Sequence, residues 1–133
     1  MPNMYYAGTR NNAPSEGTEQ ATLFSWAKMQ EHKWPELRLL FHIPNGGSRG
    51  KVEAAHFKAE GVKAGVPDLF LPVARGPYHG LFIEMKRQKG GKVSDAQKAW
   101  ISALIDQGYL AVVCYGWKDA AELIEDYLDE RGV

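Results

Sequence analysis

Apolar and polar positions recur along the chain with two spacings, one typical of helices and one typical of strands. Leu23, Trp26 and Ala27 lie three and four residues apart and define one face of a helix, whereas the residues from Leu81 to Lys86 alternate as in a strand. Eight elements follow from these spacings. They are a helix at 15–33, a strand at 37–44, a helix at 51–60, a strand at 65–73, a strand within 80–90, a helix at 95–108, a strand at 109–117 and a helix at 118–130.

Several residues mark where these elements end. Pro35 stops the first helix, because the residue before a proline is disfavoured in helical conformation. Ser94 is a good N-cap for the third helix, and Gln97 three residues later completes a capping box. Gly108 is then the expected C-terminal cap of that helix.

The order α β α β β α β α places the chain in the α/β class. The two central strands are joined by a loop of about seven residues, which favours an antiparallel hairpin. We expect a mixed sheet of about four strands flanked by helices, in a single domain at 15–133 that follows a flexible segment at 1–14.

Composition narrows the class of protein. The 133 residues are 44% hydrophobic and 24% charged, as in ordinary soluble domains. The chain has one cysteine, Cys114, which excludes an internal disulfide and a cysteine-based zinc cluster. Neither a secretory signal nor a membrane-length apolar run is visible, so we expect a cytoplasmic protein without a membrane partner.

The net charge of zero conceals an uneven distribution. Residues 49–98 contain ten Lys and Arg against five Asp and Glu, whereas residues 99–133 contain two against seven. A basic middle and an acidic end suit a protein that meets a polyanion with one face, although ordinary solvated surfaces explain the same counts.

Two carboxylates and a lysine stand out against this background. Glu84 and Lys86 lie on one face of their strand, about 7 Å apart, because side chains alternate. The hairpin brings Asp68 on the preceding strand beside them. Two adjacent carboxylates repel unless a proton or cation lies between them, and Mg²⁺ or Mn²⁺ prefers such oxygen ligands. A structural salt-bridge cluster is the alternative interpretation.

These motifs resemble a known nuclease signature. GVPD, ending at Asp68, followed by IEMK, ending at Lys86, resembles the PD-(D/E)xK pattern. The surrounding segments TEQATLFSWA, HIPNGGSR, AEGVKAGVPDLFL, SDAQKAW and GYLAVVCYGW resemble the VRR-NUC (virus-type replication-repair nuclease) branch. The resemblance spans roughly residues 16–128 and implies a restriction-endonuclease-like core and a Mg²⁺- or Mn²⁺-dependent DNA endonuclease.

The resemblance also implies roles for individual residues. Asp68 and Glu84 would bind the metal together with the backbone carbonyl of Met85, and Lys86 would handle the attacking water. Glu19 would help to organise the metal or its bound waters, although acidic residues are also favoured in a first helical turn.

Gln97 matches a glutamine that the family carries in the helix after its core motif. The capping box explains this residue equally well. We expect the two roles to conflict, because a side chain folded back onto Ser94 should not reach the metal.

Partners follow from the resemblance and from the basic segment. Short members of the family occur in phages and are thought to form homodimers that cut branched DNA such as Holliday junctions, which would place this chain in a bacterial host cell. The alternatives to a nuclease for branched DNA are a non-catalytic DNA-binding module and a nuclease that acts on plain duplex DNA or on RNA. The candidate phosphate contacts are Arg49, Lys51, Lys63, Arg87, Lys89 and Lys92.

Overall fold

A computed structural model describes residues 14–44 and 51–132, and for 51–54 the backbone alone. The predicted order of helices and strands is confirmed, and the predicted flexible segment lies outside the described residues except for Pro14. The elements are α1 (Glu16–Met29), a 3₁₀ helix (Pro35–Leu39), β1 (Phe41–His42), α2 (Lys51–Ala59), β2 (Leu69–Leu71), β3 (Leu81–Lys86), α3 (Asp95–Asp106), β4 (Leu110–Tyr115) and α4 (Trp117–Leu128).

The strand predicted at 37–44 is wrong for most of its length. A 3₁₀ helix occupies Pro35–Leu39, and only Phe41 and His42 form a strand. The buried residues Trp34, Leu37 and Leu40 are three apart, which is the repeat of a 3₁₀ helix and not the repeat of a strand. Proline at the first position supplies the helical φ angle and needs no hydrogen-bond donor there.

The first helix also ends earlier than predicted. Ser15 caps its start, with the hydroxyl accepting from the Thr18 backbone N–H at 3.1 Å, and Met29 is its last residue. The amides of Lys33 and Trp34 both donate to the Gln30 carbonyl, so a turn replaces the final helical residues. This turn lets Trp34 leave helical geometry and enter the core.

The four strands form one mixed sheet in the order β1-β2-β3-β4. The pairs β1–β2 and β2–β3 are antiparallel, which confirms the predicted hairpin, and β3–β4 is parallel. The parallel pair is connected through α3, as such a crossover requires.

The two faces of the sheet have different surroundings. Leu81, Ile83 and Met85 of β3 are buried in the main core with residues of α1 and α4. Phe82 and Glu84 point to the opposite face, where α3 lies beside β4. In the described part of the chain, no helix combines the length and apolar character needed to cross a bilayer.

Candidate active site

The hairpin register brings the two predicted carboxylates together. Leu69 pairs with Ile83, so the next positions on the two strands, Asp68 and Glu84, lie side by side on the face away from the main core. The Asp68 carboxylate accepts a hydrogen bond from the Met85 backbone N–H at 2.8 Å. This bond fixes one Asp68 oxygen against the strand that carries Glu84.

Glu84 is 2% exposed, and its two oxygens have different partners. Oε2 accepts from the side-chain amide of Gln97 at 3.0 Å and lies 3.5 Å from the ammonium nitrogen of Lys86. Oε1 is buried and has no hydrogen-bond partner among the described residues. A buried anionic oxygen without a partner is costly, so this atom marks a place for a proton or a cation.

The electrostatics agree with that interpretation. Burial, and after it the negative charge of Asp68, raise the pKa of Glu84 from 4.5 to about 8, although the positive charge of Lys86 opposes the shift. Lys86 is itself only 5% exposed. Without a cation, Glu84 therefore keeps its proton at neutral pH, and a bound divalent ion would displace it.

Gln97 completes the capping box and contacts Glu84 at the same time. Its amide oxygen accepts from the Ser94 backbone N–H at 2.8 Å, and its backbone N–H donates to the Ser94 hydroxyl at 3.1 Å. Its amide nitrogen simultaneously donates to Glu84. The expected conflict was wrong, because a side-chain amide has an acceptor and a donor at its end that can bind on opposite sides.

Glu19 is buried in the first turn of α1, but its hydrogen bonds do not go to Asp68 or Glu84. One carboxylate oxygen accepts from the Gln88 side-chain amide at 2.9 Å, and the other accepts from the backbone N–H of Trp117 at 3.0 Å. Gly116, the N-cap residue of α4, has no side chain to cap that helix. Glu19 therefore caps α4 and anchors the loop that follows Lys86.

Two glycines let the backbone approach the site closely. A Cβ on Gly65, whose φ is +93°, would lie 2.8 Å from the backbone of Ala96 in the first turn of α3. A Cβ on Gly91 would lie 3.0 Å from the Cβ of Lys86. Gly65 thereby allows α3 to begin close enough for Gln97 to reach Glu84.

Comparisons with known proteins agree with this geometry. The profile of the VRR-NUC domain matches residues 12–118, a range that contains all five candidate catalytic residues. The chain belongs to the VRR-NUC family. A solved structure named "VRR_NUC domain protein" is 38% identical and has a TM-score of 0.78, with 89% of this chain and 91% of that chain covered. No curated protein matches the chain.

Membership of the VRR-NUC family confirms the resemblance and the nuclease-type α/β fold. The donor set fits the divalent metal that was expected from the resemblance. Within the described ranges, no three His, Cys, Asp or Glu side chains lie close enough to hold an ion alone. Asp68, Glu84 and the Met85 carbonyl would leave the remaining positions to water and substrate oxygens, as Mg²⁺ prefers.

The predicted phosphate contacts divide into three groups. Arg49 and the side chain of Lys51 lie outside the described residues. Arg87 is half-buried and lies directly after the β3 strand. The side chains of Lys63, Lys89 and Lys92 are exposed.

Two polar residues near the site carried no strong signal in the sequence. The ring nitrogen Nδ1 of His42 lies 2.9 Å from the carbonyl oxygen of Asp68. Gln88 lies in the basic loop as an apparently ordinary polar residue, yet it binds Glu19. Only its position two residues after Lys86 could have drawn attention to it.

Proposed function

We propose that this VRR-NUC protein is a Mg²⁺- or Mn²⁺-dependent endonuclease that hydrolyses phosphodiester bonds in branched DNA. The observation that carries the proposal is the pair of carboxylates at Asp68 and Glu84, in which the buried Glu84 has one unpartnered oxygen and a buried lysine, Lys86, beside it. A structural salt bridge needs no second carboxylate, and a DNA-binding surface gains nothing from two acids facing a polyanion.

The residues of the chain have separate tasks in this reaction. Asp68, Glu84 and the Met85 carbonyl would hold the ion, which when bound would supply Lewis-acid stabilisation of the charge that develops on the phosphate. Gln97 holds Oε2 of Glu84 and leaves Oε1 available for the ion. Lys86 places a positive charge beside the carboxylates, where it orients the attacking water and stabilises the phosphate oxygens.

The loop after β3 supports DNA as the substrate. Lys89 and Lys92 are exposed, and the loop starts immediately after Lys86. Because phosphate contacts supply most of the sequence-independent affinity for DNA, a basic loop at this place suits a strand whose backbone passes the carboxylates. The hydrogen bond between Gln88 and Glu19 holds this loop to the fold.

We also propose that two copies form a homodimer through α3. This helix has no fully buried residue although Ile101 and Ile105 lie on it, and Ile105 is 51% exposed. A cavity of about 390 Å³ lies along the same side of α3, with Lys98 and Asp106 in its lining. Antiparallel pairing about a two-fold axis would place Lys98 of one copy opposite Asp106 of the other.

Light scattering tests the dimer. A mass near twice 14.8 kDa is expected for the wild type, and a mass near 14.8 kDa is expected for Ile105→Asp. The exposed variant Met29→Asp, on α1, is the matched control and should leave the mass of the wild type unchanged. A wild-type mass near 14.8 kDa under conditions of cutting would contradict the proposal.

A cutting assay tests the activity. Purified protein is incubated with matched linear, flap and four-way-junction DNAs, and with the corresponding RNA, in Mg²⁺, Mn²⁺ or EDTA. We expect metal-dependent cutting of branched DNA that disappears in Lys86→Ala, while the gel shift with the same DNA persists. Lys28→Ala, which removes an exposed charge from α1, should cut like the wild type.

The outcomes separate the alternatives. Binding of junctions without cutting in either metal would leave a non-catalytic DNA-binding module. Equal cutting of linear and branched DNA, or preferential cutting of RNA, would keep the nuclease and reject branched DNA as its substrate.

A further inference from the structure

A row of aromatic rings lies beside the carboxylates on the same face of the sheet. The register pairs Phe41 with Phe70 and Phe70 with Phe82, so these three rings form one row across β1, β2 and β3. Asp68, immediately before β2, and Glu84 on β3 occupy the next positions on the same face. Same-face positions on one strand are about 7 Å apart.

The rings of this row contact one another in a defined pattern. Phe70 and Phe82 are stacked, with centroids 4.2 Å apart and planes at 14°. Tyr109 lies 5.9 Å from Phe70 and 5.2 Å from Phe82, with its plane at 70–74° to theirs. Phe41 lies 5.9 Å from Phe70 at 78°. Tyr109 and Phe41 therefore flank the stacked pair, and we call these four residues the aromatic row.

The aromatic row is open to solvent at the end that Phe41 forms. In the ranges that the structure describes, α1 and α4 pack against the opposite face of β3, and α3 packs against β4. Phe41 is 47% exposed, and the neighbouring Leu39 is 51% exposed. Phe70, Phe82 and Tyr109 are half-buried, so a ligand that covers the row removes from water the apolar surface that these rings and Phe41 still expose.

We propose that the aromatic row binds an unpaired base of the DNA strand that is cut, next to the phosphate held at Asp68 and Glu84. This proposal rests on the proposed nuclease function. A nucleobase offers a flat, apolar ring that stacks on aromatic side chains irrespective of sequence. In a continuous duplex each base is covered by its neighbours, whereas a base at a branch can leave the stack. The row thereby favours DNA with unpaired nucleotides.

A second copy of the chain is the other occupant that an apolar face could have. The aromatic row contains no charged side chain that could pair with a copy of itself, whereas the cavity along α3 contains Lys98 and Asp106. The row also continues directly into the candidate catalytic residues, where a protein partner would block the DNA backbone. A nucleobase is therefore the occupant that the surroundings favour.

Fluorescence of 2-aminopurine tests the proposal. The base analogue is placed at an unpaired position beside the cut site of a branched DNA, and binding is measured in EDTA so that no cutting occurs. Wild-type protein should quench the fluorescence by stacking. The double variant Phe41→Leu, Tyr109→Leu keeps apolar side chains but removes two rings, and should abolish the quenching and bind this DNA at least about fivefold more weakly.

Three controls make the result decisive. Tyr109→Phe keeps the ring and should quench like the wild type, and the double variant should bind fully paired duplex of equal length like the wild type. Thermal unfolding checks that the double variant is folded. Base stacking would be overturned if the double variant quenched like the wild type or bound duplex DNA as weakly as it binds branched DNA. It would also be overturned if the double variant converted a dimer to a monomer. Quenching without cutting of any substrate would reject the nuclease function alone, and cutting without quenching would reject the aromatic row alone.

Discussion

Replacement of Glu84 by glutamine should change how the stability of the metal-free protein depends on pH. Burial and the charge of Asp68 raise the pKa of Glu84 from 4.5 to about 8. The unfolded chain therefore releases this proton near pH 4.5, whereas the folded chain keeps it until about pH 8. The contribution of this group to stability is greatest below pH 4.5 and falls as the pH rises to 8, by about 1.4 kcal/mol per pH unit.

Glutamine does not titrate, so Glu84→Gln lacks this loss. Between pH 5 and pH 8, the wild type should lose up to about 4 kcal/mol of unfolding free energy relative to the variant. Urea unfolding in EDTA at each pH unit, followed by tryptophan fluorescence, measures the difference. Glu122→Gln, which removes an exposed charge from α4, is the control and should follow the wild-type pH dependence.

Parallel pH curves for the wild type and Glu84→Gln would show that folding does not raise the pKa of Glu84, and would refute the electrostatic reasoning. Addition of Mg²⁺ should stabilise the wild type more at pH 8 than at pH 6, because the ion competes with the proton for the carboxylates. Glu84→Gln should show little stabilisation by Mg²⁺ at either pH.

Three further substitutions test the supports of the site. Gly65→Ala should lower the unfolding free energy by about 2 kcal/mol or more and should slow cutting, because the new Cβ would lie 2.8 Å from the backbone of Ala96. Wild-type stability of this variant in urea unfolding would contradict that contact. Gln88→Ala should lower the unfolding free energy by about 1 kcal/mol and speed amide hydrogen exchange in the loop after β3, because Glu19 loses one hydrogen-bond donor. Unchanged exchange would show that Glu19 does not anchor the loop. Tyr127→Phe should lower the unfolding free energy by about 1–2 kcal/mol, because the buried Tyr127 hydroxyl donates to a backbone oxygen at 2.6 Å. The cutting rate should stay unchanged. A large loss of rate would show that this hydrogen bond in the core affects the site.

Local patterns were sufficient for most of the fold. The capping box at Ser94 and Gln97 and the left-handed glycine at Gly108 were readable, since each depends on residues a few positions apart. The segment after Trp34 was not, because a row of leucines fits a strand and a 3₁₀ helix equally well. Burial of Trp34 and Leu37 against the core decided between them.

The sequence by itself determined which charged side chains lie together, because strand alternation and a short hairpin suffice to put Asp68, Glu84 and Lys86 on one face. The tertiary structure alone decided what surrounds them. It directs Glu19 to the start of α4, and it lets Gln97 cap α3 and bind Glu84 at the same time. Among the described residues, it also leaves one Glu84 oxygen without a hydrogen-bond partner. These outcomes depend on how closely separate helices pack against the sheet. Residue spacing along the chain does not give the distance between elements that are far apart in the sequence.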